Sequence, residues 1–163
     1  MSIFTTAAAL VSNSSADKPE QLPERPPVNE AEPKCTILAI DDDPAVLLTV
    51  KTLLVKRGFN VLSSTSSPKG LDLLRYAARD IRIVVLDYSM PKLNGDETLK
   101  FVRHLNPNAK VIGLTAMKIE ELPKAYLEGV DKLLTKPVIA ADLIGAIDGF
   151  LNQGKPASSA FQL

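Results

Sequence analysis

Two hydrophobic periods alternate along this chain, five times over, between residues 36 and 151. Short apolar runs rich in β-branched residues occur at TILAI (36–40), NVLSS (60–64), RIVVL (82–86), KVIGL (110–114) and KLLT (132–135), and each reads as a strand. Segments of helical period follow them at 45–57 (closed by Gly58), 68–78, 96–105 (stopped before Pro107), 120–128 (closed by Gly129) and 139–151. Strand followed by helix in unbroken succession specifies an α/β fold, a parallel sheet with helices on both faces. RIVVL is apolar on both sides, as a central strand must be. Right-handed crossovers restrict the topology, and ligand sites in such open sheets lie beyond the carboxyl ends of the strands. Chemistry is therefore expected in the residues just after each strand.

Those residues are unusual as a set. After the first strand come Asp41, Asp42 and Asp43; after the third, Asp87; after the fourth, Thr115; after the fifth, Lys136. Three successive carboxylates occupy only about 10 Å of extended chain, and like charges raise one another's pKa unless an opposite charge is supplied. Lys136 supplies one. A divalent cation would supply the rest, and with carboxylate oxygens but no nearby His or Cys the hard, oxygen-seeking Mg²⁺ is the natural choice. Such a site keeps coordination positions open for the oxygens of a phosphoryl group.

The stretches ILAIDDDP, VVLDYSMPKLNG, VIGLTA and LLTKP, in that order, resemble the receiver domain of two-component response regulators over about residues 35–151. The resemblance implies a flavodoxin-like doubly wound (βα)5 sheet of strand order 2-1-3-4-5. It implies that Asp87 is the phosphoacceptor, taking a phosphoryl group from a phosphohistidine on a sensor kinase or phosphotransfer protein. Asp41 and Asp42 match the acid pair that holds Mg²⁺, with Asp87 and the backbone carbonyl of Ser89 completing the protein ligands. Thr115 is implied to hydrogen-bond the phosphoryl oxygens, Lys136 to pair with Asp87 and then with the phosphate, and the Lys136–Pro137 peptide to be cis. Ser89 and Met117 fall where the family tunes hydrolysis of the phosphate.

The sequence departs from the family pattern at Leu133, where an aromatic residue usually acts as a rotamer switch coupled to the threonine. An aliphatic side chain has no polar tip to swing, so output is expected from the loops after Asp87 and Thr115. Plainer roles suit the neighbours: Asp43 reads as a helix N-cap, Gly95 as a positive-φ turn residue in the Asn-Gly pair, His104 as a surface residue and Cys35 as an apolar filler at a strand edge.

Composition closes off other classes. Lys+Arg and Asp+Glu balance at 19 each, which gives no basic surplus for nucleic acid. One cysteine and one histidine make neither a disulfide framework nor a zinc site, and a reducing cytoplasm is expected. No apolar run is long enough to span a membrane. Residues 1–33 hold five of the twelve prolines and read, like 152–163, as flexible tails around a receiver at 34–151. With only twelve residues after Leu151, a stand-alone receiver that signals by binding an unidentified protein target is expected, with homodimerisation as a further option and no enzymatic role beyond its own phosphorylation and dephosphorylation. The alternatives are an unphosphorylated interaction scaffold, or a haloacid-dehalogenase-like phosphatase using Asp41, for which Ala45 stands where Thr or Val is expected.

Overall fold

A computed structural model describes residues 34–152. The expected tails, 1–33 and 152–163, lie outside the described residues except for Asn152, which closes the last helix instead. The elements run β1 (Thr36–Ile40), α1 (Pro44–Lys56), β2 (Asn60–Ser64), α2 (Ser67–Tyr76), β3 (Ile81–Asp87), α3 (Gly95–Leu105), β4 (Lys110–Thr115), α4 (Lys124–Gly129), β5 (Lys132–Thr135) and α5 (Ala140–Asn152). All strand pairs are parallel and their order is β2-β1-β3-β4-β5, as the resemblance implies.

Strand alternation divides the core into two layers. Ile37, Ala39, Ile83, Val85, Ile112 and Leu114 point to one face and pack on Leu47, Val50 and Leu54 of α1 and Leu143, Ile144 and Ile147 of α5. Leu38, Ile40, Val84, Leu86 and Val111 point to the other, against Leu71 and Leu74 of α2, Leu99 and Val102 of α3, and Tyr126 of α4. Each fully buried Leu or Ile contributes roughly 1.5–3 kcal/mol relative to exposure, so the central strands β1 and β3, buried on both faces, are the firmest part of the sheet.

The helix starts obey local chemistry. Asp43 caps α1 by accepting from Ala45 N at 2.8 Å, with Pro44 in the first turn, the role its sequence suggested. Asn94 and Glu97 form a capping box at the head of α3. Two expectations need correction. The segment 120–128 is not one helix: Pro123, which lacks an N–H and cannot sit in a helix interior, divides it into a 3-10 turn (Ile119–Glu121) and a six-residue α4 that it N-caps. Gly95 is not the left-handed residue of its loop; that conformation falls on Lys92, at φ 72°. Gly95 is the first residue of α3, and it is glycine for proximity, since a Cβ there would lie 2.6 Å from Tyr88 Cα.

Candidate functional site

Strand register assembles the acids. Ile40 is paired with Leu86, so the next residues, Asp41 and Asp87, leave β1 and β3 side by side. On the far side Asp87 is paired with Leu114, Thr115 with Thr135, and Lys136 N donates to Thr115 O at 2.7 Å. One sheet edge thus gathers Asp41, Asp42, Asp87, Thr115 and Lys136, all singled out in the sequence. The Lys136–Pro137 peptide is cis.

Burial makes the cluster demanding. Asp41, Asp87 and Thr115 are 2%, 1% and 0% exposed, while Asp42 faces solvent. Lys136 Nζ stands 2.8 Å from Asp41 Oδ2 and 2.9 Å from Asp87 Oδ1. It reaches both at ion-pair distance, and apart from this shared ammonium no hydrogen bond of good geometry reaches Asp41 Oδ2 or either Asp87 oxygen, all of them buried. Asp41 Oδ1 fares better, accepting from Asp43 N at 2.9 Å. Burial pushes the Asp87 carboxyl above its usual range, the Asp41 charge adds to this, and together they outweigh the opposing pull of Lys136. Burial alone would depress the Lys136 ammonium, but the two carboxylates outweigh it and hold its pKa up. One cation serves two buried acids and a third at the rim.

Carboxylate oxygens of Asp41, Asp42 and Asp87 lie within 4.8 Å of one another. Orphaned buried oxygens, a purely oxygen donor set and an acid surplus together fit a hard divalent cation such as Mg²⁺. Ser89 is exposed two residues beyond Asp87, in the loop at the same edge. Thr115 Oγ1 accepts from Met117 N at 3.0 Å, so in this conformation it pins the start of the β4–α4 loop. His104 is exposed, and Cys35 is half-buried against the α1/α5 core with burial raising its thiol pKa.

Sequence reading singled out the polar groups and missed what supports them. Tyr126 of α4 lies beneath the edge and meets Tyr88, the residue after Asp87, in an edge-to-face contact with ring centroids 4.8 Å apart. No spacing rule marks such a contact. The only available signal was an aromatic residue in a short helix.

A sequence profile described as the response regulator receiver domain matches residues 37–148, and the chain belongs to that family. It is 33% identical over 123 residues to the transcriptional regulatory protein GlrR of Escherichia coli, covering 75% of this chain and 27% of that protein. It is 36% identical over 125 residues to the CpxR homolog of Haemophilus influenzae, also called a transcriptional regulatory protein, covering 76% and 53%. The chain thus spans about half or less of the length of these curated relatives. Among solved structures, a response regulator receiver domain protein from Clostridium thermocellum superposes with TM-score 0.68 at 35% identity, covering 73% of this chain and 95% of that one. A CheY-like receiver from Methanospirillum hungatei gives TM-score 0.68 at 28% identity, covering 73% and 94%. Family membership stands against the haloacid-dehalogenase-like alternative for Asp41. Among the described residues no helix is long and apolar enough to cross a membrane.

Proposed function

We propose that Asp87 is a phosphoacceptor and that the chain signals through the modified state. A carboxylate oxygen of Asp87 attacks the phosphorus of a phosphohistidine; the P–N bond breaks, the imidazole takes the electron pair and a proton, and an acyl phosphate remains on Asp87. Phosphoryl transfer asks mainly for alignment and charge neutralisation. Lys136, 2.9 Å from Asp87 Oδ1, supplies a fixed ammonium beside the nucleophile. Asp41, Asp42, Asp87 and the Ser89 carbonyl would hold Mg²⁺, which when bound neutralises charge on the phosphoryl oxygens. Thr115 donates its hydroxyl hydrogen to a phosphoryl oxygen, a role left open by the bond in which Oγ1 accepts from Met117 N.

The observation that carries this reading is the cluster of orphaned, buried carboxylate oxygens at the sheet edge. A structural acid cluster has its acceptor oxygens satisfied by donors, whereas this one is completed by a cation and an incoming electrophile. The donor is a sensor histidine kinase or a histidine phosphotransfer protein, the setting the cytoplasm, and the output a protein–protein contact. Incubation with acetyl phosphate and Mg²⁺ is expected to add one hydroxylamine-labile phosphoryl group, absent in Asp87→Asn. A chain that stays unmodified by every donor tried, while still folded, would be the interaction scaffold instead.

A further inference from the structure

The sheet ends in two edge strands, β2 and β5. An edge presents a row of backbone N–H and C=O groups with which another strand can pair, and proteins ordinarily blunt it with charge or proline. β5 opens on the exposed Lys132 and runs directly into Lys136 and Pro137. β2, Asn-Val-Leu-Ser-Ser, carries neither charge nor proline. Nothing comparable guards it.

The surface around β2 is apolar on both faces of the sheet. α1 packs on β1 and β2 and buries Leu47, Val50 and Leu54. Its flank bearing Val46 and Leu53 packs into the layer shared with α5. At about 100° per residue, Leu48 and Val55 fall on the opposite flank, toward the β2 edge, where they are 67% and 51% exposed. On the other face Leu62 of β2 and Leu73 of α2 are only half-buried, and Tyr76, at the end of α2, is 93% exposed. At the exit of β2 a groove of about 520 Å³ opens between the two helices, lined by Leu47, Ser63, Thr65, Lys69 and Leu73. Single exposed apolar residues are ordinary, but a set of them around one unguarded strand edge marks an interface.

We propose that this edge is the interface of a homodimer, in which two copies join their sheets β2 against β2. A two-fold axis normal to the sheet makes the identical strands antiparallel and sets α1 beside α1 and α2 beside α2. The charges of α1 select a second copy as the occupant. The helix starts behind the exposed Asp42 and Asp43 and ends in the exposed Lys56 and Arg57. Antiparallel α1 helices therefore bring the acidic end of each copy to the basic end of the other. Between those ends Leu48 and Val55 of one copy cover those of the other. Pairing centred on Leu62 sets Val61 opposite Ser63 of the second copy and joins the two Leu62 side chains on the α2 face. β4 and β5 stay at the free ends of the joined sheet, so the dimer needs no phosphoryl group and stands whether or not Asp87 accepts one.

Sedimentation equilibrium of the full chain over a range of concentrations tests this, with circular dichroism reporting the fold. A monomer–dimer equilibrium is expected. Leu48→Glu combined with Val55→Glu changes two exposed side chains, each present twice in the dimer, and should raise the dissociation constant about a hundredfold with the fold intact. Lys56→Glu combined with Arg57→Glu keeps the apolar contacts but sets acid against acid, and should raise it about tenfold at low salt. Gly145→Glu on α5, where an added Cβ meets nothing within 4 Å, should leave the dimer unchanged. A chain that is monomeric at every concentration overturns the proposal, as does a dimer that survives either double variant or is lost in Gly145→Glu.

Discussion

The two ends of the sheet carry acids in opposite circumstances. At the amino-terminal edge Asp131 lies between two cations: Arg103 Nη2 and Val111 N donate to Oδ2 at 2.7 and 2.9 Å, and Lys110 Nζ to Oδ1 at 2.8 Å. At the carboxyl-terminal edge Asp41 and Asp87 share the one ammonium of Lys136, and beyond it three of their four oxygens have no well-formed hydrogen bond. Burial works against both clusters, but at Asp131 the donors outweigh it and lower the pKa, whereas at Asp87 burial prevails and raises it. A satisfied acid fastens structure, and an unsatisfied one holds a place for something absent. This difference is what the proposed phosphoacceptor role rests on at the carboxyl-terminal edge.

The comparison breaks first at Lys136. Lys136→Met leaves two buried carboxylates with no counter-charge and is expected to destabilise the chain by about 3 kcal/mol in urea unfolding without divalent ions. A much smaller loss would mean that the cluster is solvated and not strained. Asp131→Ala strands Val111 N and removes the counter-charge of Arg103, which keeps its bonds to Gly129 O and Ala109 O, and should cost about 1–2 kcal/mol, discounted because Lys110 is partly exposed, while leaving phosphoryl uptake intact. Asp87→Asn has the opposite sign: removing one of the crowded charges should stabilise the metal-free chain by about 1 kcal/mol at neutral pH.

The smallest effects sharpen the contrast by their pH slopes. Asp131 has a depressed folded pKa, so its contribution is present above the ordinary carboxylate value of 3.8 and lost as pH falls through the folded one. The advantage of wild type over Asp131→Asn should therefore close on acidification. Asp87 has a raised folded pKa, so its penalty is absent at low pH and grows as pH rises through the carboxylate range. The advantage of Asp87→Asn over wild type should open on the same axis. Chemical unfolding of both variants across that range reads the two slopes, and slopes of one sign would remove the distinction.

What was legible in the sequence follows the same division. Strand and helix periods are local, so all five strands were found, short only of the flanking Ile81 and Asp87 in β3 and of Thr115 in β4. The acid edge was legible because a parallel sheet sends every strand exit to one side, whatever packs beneath. Pro123 and Gly95 were misjudged where one residue decides between local alternatives: a proline that starts a helix rather than lying within one, and a glycine chosen for closeness to Tyr88 rather than for its φ. The Asp131 cluster and the Tyr88–Tyr126 contact join residues 20 or more positions apart with no motif linking them. Only the packed chain shows such pairs.

Magnesium titration followed by amide NMR shifts tests the central claim most directly. One ion per chain is expected, with the largest shifts at residues 41–43 and 87–89 and binding weakened sharply by Asp41→Asn and by Asp87→Asn. Shifts scattered over the surface, or binding unchanged in those two variants, would show that the orphaned oxygens are not waiting for a cation.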